Sequence, residues 1–192
     1  MSDLQAGLSD WLQRAAPTFL VHPHGFYVVL LGRTAREEWR LHHWPAGKRA
    51  TRGMPAFIHT HDCHVESRIL VGQLTNVVYR ISEVEQGGQP LYQVGYAGDR
   101  YAGATSNVLK NTGTRVQGAV EQSDVYHSGD CYHVERNVYH QACVSEQDAT
   151  TTLVCMHERD KSPVMLVGLD GFRDDIEFKR EEARALDFEG WF

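Results

Sequence analysis

Three histidines stand close together in the segment "GMPAFIHTHDCHVES", residues 53–67. His59 and His61 are two residues apart in a segment that predicts a strand, so both imidazoles project from the same face. Glu66 follows after a short turn, where the next strand is predicted to begin. Imidazole and carboxylate ligands that meet at one point suit Fe(II), Mn, Ni, Co or Zn, and open positions beside them suit oxygen activation or Lewis-acid chemistry.

The spacing of these residues resembles the first sequence motif of the cupin superfamily, in which a glycine, an HxH pair, a glutamate and a second glycine recur. The chain has this order in Gly53, His59, His61, Glu66 and Gly72, with the closing glycine about one residue early. The resemblance implies an antiparallel β-barrel that holds a metal ion. With the second motif, described next, it covers residues 38–168.

The second cupin motif is a glycine, five residues, proline, any residue, glycine, two residues and a histidine. The chain matches this spacing with Gly129, "DCYHV", "ERN", "VY" and His140, but Glu135 replaces the proline and Asn137 the second glycine. Val144 stands where the family has a final asparagine. Asparagine is the best substitute for glycine where a turn needs positive φ, so we expect Asn137 to preserve that turn.

By this resemblance, the metal ligands are His59, His61, Glu66 and His140. Iron(II) is the expected metal, with Mn, Ni, Co and Zn as alternatives. His133 is a rival to His140 as the fourth ligand. His64 lies in the turn between the ligands, where we expect it beside the site or in solvent.

A substrate anion would need a cation inside the barrel, and arginine suits a carboxylate because its planar group binds two oxygens. Arg68 is the first candidate because it is two residues after Glu66 and therefore on the same face. Arg40 and Arg80 are the alternatives. Acid, base or hydrogen-bonding roles fall to Tyr139 and His157, from a wider set that also contains Tyr79, Tyr92 and Tyr132.

The remaining histidines carry weaker predictions. His42 and His43 point to opposite faces of their predicted strand, so at most one can face the barrel interior. His22, His24 and His127 are expected to be ordinary surface or hydrogen-bonded side chains.

The elements that must position these residues are mostly short strands. Runs rich in β-branched and aromatic residues alternate with turn signals such as "PAGK", "EQGGQP" and "NTGTR", which is typical of an all-β sandwich or barrel. We predict a cupin-like double-stranded β-helix, or jelly roll, as a single domain over residues 1–192 with its barrel core at 26–168. A short amphipathic helix over residues 3–15 and a helical acidic tail over residues 174–186 flank it. The aromatic end, Trp191 and Phe192, should pack back on the barrel or meet a partner.

Composition narrows the function classes. The chain of 192 residues has 42% hydrophobic and 23% charged residues, and no segment is apolar enough to span a bilayer. Its net charge of -6 argues against nucleic-acid binding. An acidic, polar N-terminus and four scattered cysteines predict a cytoplasmic protein with free thiols.

The expected partners are a small-molecule substrate and O2, with no nucleic acid and no membrane. A homodimer that shares edge strands, through "EWRLHHW" (38–44) or the aromatic C-terminus, is an alternative to a monomer.

The function that these patterns favour is a non-haem iron(II) dioxygenase for a small polar or carboxylate-bearing substrate. The run "YHQACVSEQDATTTLVCMHERDKSP" is loosely similar to thiol dioxygenases of the cysteine dioxygenase type, which bind iron with three histidines. Those enzymes lack a counterpart of Glu66, and their catalytic tyrosine is replaced near residues 155–157. The alternatives are a metal-assisted isomerase, epimerase or lyase, and a non-enzymatic cupin that binds a small ligand.

Overall fold

The computed structural model describes residues 2–98, 100, 105–183 and 191–192. One helix is followed by a succession of strands. Their bounds are α1 Asp3–Ala15, β1 Phe19–Val21, β2 Tyr27–Arg33, β3 Glu37–Trp44, β4 His64–Val71, β5 Gln73–Glu83, β6 Gln89–Tyr96, β7 Ser106–His127, β8 Cys131–Val134, β9 Tyr139–Cys143, β10 Thr150–His157, β11 Val164–Val167, β12 Asp175–Lys179 and β13 Glu181–Ala183.

The strands form two antiparallel sheets, as expected for a β-sandwich or jelly roll. The first sheet has the order β13-β1-β2-β3-β10-β4-β8, and the second has the order β11-β6-β7-β5-β9 with β12 paired to β7. Neighbours in the sheets are often far apart in sequence, as where β10 lies between β3 and β4. This arrangement brings residues 37–71, from the N-terminal part of the chain, and residues 150–157, from its C-terminal third, to the same wall.

Helix α1 covers part of the outer face of the first sheet. Ser2 accepts a hydrogen bond from the backbone N–H of Gln5 and Gln5 bonds back to Ser2, which is a capping box that starts the helix at Asp3. Leu12 is fully buried against Leu41 and Leu70 of the sheet. The predicted N-terminal helix over residues 3–15 is therefore confirmed, with one apolar stripe facing the strands.

The aromatic C-terminus packs on the same outer face. Trp191 is 3% exposed, and its ring stacks on His43 with centroids 4.1 Å apart. The hydroxyl of Thr151 donates a hydrogen bond of 2.6 Å to the Trp191 carbonyl. The aromatic C-terminal end therefore packs back on its own chain, which is one of the two alternatives that the sequence left open.

The predicted helix over residues 174–186 is wrong where the structure describes it. Strands β12 and β13 occupy residues 175–179 and 181–183, paired to β7 and β1, and residues 184–186 lie outside the described part. The local helix propensity of the acidic residues is overridden here by backbone pairing: β13 pairs with the outer edge of β1, and β12 pairs with residues 106–110 of β7, which β5 leaves free.

Two further expectations differ from the structure. The turn signal "NTGTR" does not end a strand, since β7 runs through it and Gly113 absorbs the irregularity with φ of 80°. Segment 38–44 falls in β3, which is paired on both sides by β2 and β10 and so offers no free edge for a dimer. Within the described residues, the sole helix falls short of the length and apolarity that a membrane crossing needs.

Candidate metal centre

His59, His61 and His140 come together on the inner side of the sandwich, with ligand atoms that all lie within 4.8 Å of one another. His59 and His61 belong to an extended segment before β4, and His140 to β9. The backbone N–H of His59 donates to the carbonyl of His140 at 3.0 Å, and the reverse hydrogen bond measures 2.9 Å. This isolated bridge fixes the two parts of the chain side by side, so the third ligand arrives 79 residues after the second.

Hydrogen bonds to the far side of two rings orient the site. Nδ1 of His59 lies 2.8 Å from the carbonyl oxygen of Phe57, which can only accept, so this nitrogen carries the proton. Nδ1 of His140 lies 2.8 Å from Oδ1 of buried Asn76 in β5, which sets the same tautomer. The Nε2 atoms of both rings then present lone pairs to the interior, as in metal sites whose ligands are held from behind.

The donor set fits a divalent metal ion. Nε2 of His61 and Nε2 of His140 are 3.0 Å apart. Two imidazole nitrogens bound to one ion at about 2.0–2.1 Å, at angles near 90° to 110°, are separated by about 3 Å. Two lone pairs at this distance repel unless a proton or a cation lies between them, so the separation fits either an N–H···N hydrogen bond or a metal ion shared by the two atoms.

Burial keeps the three rings in their metal-binding form. It lowers the pKa of His59, and it lowers the pKa values of His61 and His140 well below 6.5, with mutual repulsion between the rings as a further cause. The imidazoles are therefore neutral at neutral pH, which is the state that a metal ion requires.

Glu66, the predicted fourth ligand, does not join this centre. Its side chain is 63% exposed on the outer face of the first sheet, where a carboxylate oxygen lies 3.5 Å from Nε2 of His157. The neighbouring side chains of Val65 and Ser67 in β4 point inward and are buried. Side chains alternate along a strand, so the one-residue offset between Glu66 and these neighbours decides the face.

The other predicted substrate residues also lie away from the centre. Arg68 shares the face of Glu66, as its spacing indicates, but that face is exposed. His157 lies on the same outer face. Tyr139 precedes His140 and packs on the opposite side of β9 against Val167 and its neighbours. His133, the rival ligand, pairs across from Glu66 on the outer face.

A cavity of about 650 Å³ between the sheets opens onto the three histidines. One wall is aromatic: Phe26 stacks on His22 with centroids 4.2 Å apart and on Trp44 at 4.5 Å. Aliphatic side chains of both sheets line much of the remainder, among them Val28, Val94, Leu109, Val154, Met156, Leu166 and Ile176. The interior is thus much larger than the metal centre and mostly apolar.

Cationic side chains also line this cavity. Among the described lining residues are six arginines and one acid, Glu146; the arginines are Arg40, Arg49, Arg52, Arg100, Arg159 and Arg180. Arg100 and Arg159 both pair with buried Asp62, which leaves that trio with a net positive charge. Arg40, an alternative to Arg68 at the outset, is buried in the wall and pairs with Glu38, whereas Arg80 pairs with Glu121 on the surface.

Several cavity residues escaped the sequence analysis. His42 faces the cavity and His43 the outer face, as alternation predicts. His22 and His24, expected to be ordinary side chains, line the cavity instead, and the ring of His24 lies 6.0 Å from that of His59. Their H-x-H spacing was the available signal. Asn76 carried none, because a buried asparagine looks like any polar strand residue until its partner is known.

Comparisons with known proteins give little further guidance. No protein-family model matches the chain, and no curated protein matches it. Among solved structures, the chain is similar to KdgF from Halomonas sp., with 14% identity over 71% of this chain and 83% of that one and a TM-score of 0.32. A likeness at this level does not bear on function.

Proposed function

We propose that this protein is a metal-dependent enzyme of the cupin type, in which His59, His61 and His140 hold one divalent ion at the wall of the cavity. The observation that supports it best is the convergence of three imidazoles, with Nε2 of His61 and Nε2 of His140 only 3.0 Å apart. The rings of His59 and His140 are held from behind by Phe57 and Asn76, respectively. Three protein ligands on one side leave coordination positions for substrate, which is the arrangement of a catalytic site and not of a closed structural one.

The reaction we favour is dioxygenation with iron(II). Without Glu66 the ligand set consists of three histidines, which is the set of the thiol dioxygenases that the sequence loosely resembles. Iron(II) bound there would supply both a Lewis acid and the electrons that start the reaction of O2 with a spin-paired substrate. Near the position of their catalytic tyrosine this chain has Cys155, Met156 and His157. Of these three, Met156 lines the cavity, and Cys155 and His157 face away from it.

The residues of the chain would bind and orient an acidic substrate with an apolar body. The volume of about 650 Å³ lies in the range of sites for drug-sized ligands, so it exceeds the needs of a simple amino acid. The aromatic wall of Phe26 and Trp44 suits a planar or apolar group. The arginines suit a carboxylate, and the apolar lining keeps bulk water from the reacting atoms.

Tyr132 is a cavity residue that can donate a hydrogen bond to a substrate. Burial raises its pKa to about 12, so its phenol stays protonated throughout the neutral range. It can therefore donate a hydrogen bond to a bound oxygen atom of the substrate without losing its proton.

The test is metal reconstitution followed by oxygen consumption. Protein without a histidine tag is stripped with a chelator, loaded separately with Fe(II), Zn(II), Mn(II) or Ni(II), and offered a panel of thiols, amino acids and aromatic or medium-chain acids. Oxygen uptake with iron alone supports the dioxygenase. Plasma mass spectrometry measures the metal that the wild-type chain retains. If it retains none, the proposal of a metal-dependent enzyme is overturned.

A metal-assisted isomerase, epimerase or lyase is the second candidate. Three neutral imidazoles leave the full charge of a divalent ion uncompensated. Zinc sites that act as Lewis acids also have three histidine ligands. Turnover of an acid in the same panel under nitrogen, supported by zinc as well as by iron, would favour this reaction class over dioxygenation.

A further inference from the structure

A second group of metal-binding side chains lies on the outer face of the first sheet. It consists of His64, His133, His157 and Glu66, and we call it the outer histidine patch. Helix α1 and Trp191 cover the other half of that face, around Leu41 and Leu70. The patch is on the half formed by β4, β8 and the end of β10, where His133 and Glu66 are exposed.

Strand register places these four side chains together. Glu66 of β4 is directly opposite His133 of β8, and His64 of β4 is directly opposite His157 of β10. Side chains that face each other across antiparallel strands have Cβ atoms about 4.5–5.5 Å apart. Residues 64 and 66 share one face of β4, so the two cross-strand pairs are neighbours.

Two pairs of donor atoms within the patch lie near the spacing of ligands on one ion, and binding of one ion requires rotation of the side chains to bring the two pairs together. Nδ1 of His64 lies 3.4 Å from Nε2 of His133, close to the roughly 3.3 Å between two imidazole nitrogens on a tetrahedral zinc ion. Nε2 of His157 lies 3.5 Å from a carboxylate oxygen of Glu66. This nitrogen is buried beneath the exposed members of the patch and has no hydrogen-bond partner within the described residues. The rings of His64 and His157 stack with centroids 5.5 Å apart.

We propose that the outer histidine patch is a second, surface-accessible site for a divalent transition-metal ion such as Zn(II), Ni(II) or Cu(II). His64 and His133 are the first two ligands, already at ligand spacing, and the exposed Glu66 side chain reaches the ion by rotating towards His133. His157 completes the set from the neighbouring strand. Borderline imidazole and carboxylate donors select these metals over magnesium or calcium.

The site is separate from the interior centre. Its ligands project from the opposite face of the sheet to Val65, which lines the cavity, so neither ion would share a ligand with the other. The proposal therefore does not depend on the proposed function, and the two can be tested side by side in one experiment.

The experiment is zinc binding to chelator-stripped protein, measured by equilibrium dialysis and plasma mass spectrometry. We expect about two equivalents per chain for wild type and about one for the His64→Ala/His133→Ala double variant. The His59→Ala/His61→Ala variant should retain the outer equivalent, and His127→Ala, which removes an exposed histidine elsewhere, should match wild type. Circular dichroism confirms that each variant is folded.

Three outcomes are decisive. An unchanged zinc content in the His64→Ala/His133→Ala variant would overturn the outer site. A loss of only half an equivalent per chain, together with a zinc-dependent dimer in light scattering, would also overturn it, because one ion would then be shared between two chains. A single equivalent in wild type that disappears with His64 and His133 would support the outer site while removing the interior centre. As a single substitution in the wild-type chain, Glu66→Gln should weaken zinc binding at the outer site about tenfold or more, because one ligand is lost.

Discussion

At the scale of single residues, the proposed chemistry depends on histidine nitrogen atoms whose orientation is set by groups on the far side of each ring from the metal position. Phe57 and Asn76 accept from the Nδ1 atoms of His59 and His140, and so direct both Nε2 atoms inward. Burial then keeps these rings neutral. A site built in this way loses metal affinity either when a ligand is removed or when its orientation is released.

His140→Ala should abolish metal retention while leaving the protein folded. The imidazole supplies one of only three ligands, whereas the core clusters on both sheets do not contain it. Metal content and circular dichroism measure the two effects, with His127→Ala, whose side chain is 67% exposed, as the matched control. Wild-type metal content in the His140 variant would show that the site is elsewhere.

Asn76→Ala should weaken metal binding about 10- to 100-fold without removing a ligand. The substitution leaves Nδ1 of His140 without its acceptor in a buried site, so the ring no longer favours the tautomer that points Nε2 inward. Competition with a metal-sensitive chelator dye measures the affinity. Asn111→Ala, at a half-buried asparagine of β7 that bonds to Asp174, is the control. Equal affinities for the two variants would contradict the assignment.

At the scale of elements, the alternation of side chains along each strand and a few turns with positive φ decide which side chains face the cavity. The His59–His140 bridge depends on the turn that leads into β9, where Asn137 adopts φ of 62°, as its place in the glycine position of the motif predicts. Gly72 makes the sharp change of direction between β4 and β5 with φ of 78°. That turn transfers the chain from the first sheet to the second.

Gly72→Ala should destabilise the fold by about 1–3 kcal/mol or more. An added Cβ would lie 2.4 Å from the carbonyl oxygen of Ala149, in addition to the strain of a positive φ. Gly47→Ala is the matched control, since Gly47 has φ of 92° but open space around its Cβ position. Urea denaturation should give Gly72→Ala a clearly lower free energy of unfolding than Gly47→Ala. The reverse order would contradict the predicted clash.

At the scale of the whole molecule, the sandwich encloses many neutral histidines and a positively charged cavity. Burial lowers the pKa of His24 to about 3 and that of His43 to about 4, and those of His22 and His42 are lowered well below 6.5. The unfolded chain takes up protons near pH 6.5, and the folded chain does so only at lower pH. Stability should therefore fall as the pH drops below about 6.5.

His43→Asn isolates one of these groups in metal-free protein. Wild type should lose about 1.4 kcal/mol of unfolding free energy more per pH unit than the variant, over the window between the unfolded pKa near 6.5 and the folded value of about 4. Urea denaturation between pH 7.5 and 5 measures both slopes. Parallel slopes would mean that His43 is protonated equally in the folded and unfolded chains.

Arg180→Gln should weaken binding of acidic ligands by tenfold or more while leaving metal content unchanged. Arg180 is buried in the cavity wall, where its charge contributes to the low pKa values of His22, His24 and His42. Calorimetric titration with a carboxylate that the wild-type protein binds measures the effect. Arg80→Gln, at an exposed arginine, is the control, and equal losses in both variants would contradict a cavity role.

The sequence alone determined the all-β class, the N-terminal helix and the positive-φ turn at Asn137, because these follow from local periodicity and local sterics. It also indicated His59, His61 and His140, since two motifs preserve their spacing around fixed turns. Only the tertiary structure decided which face of β4 is inside. One residue of register moved Glu66 and Arg68 to the surface, and long-range pairing brought His22, His24 and Asn76 to the centre. Parity and pairing between distant strands are set by packing of the whole core, which no local pattern contains.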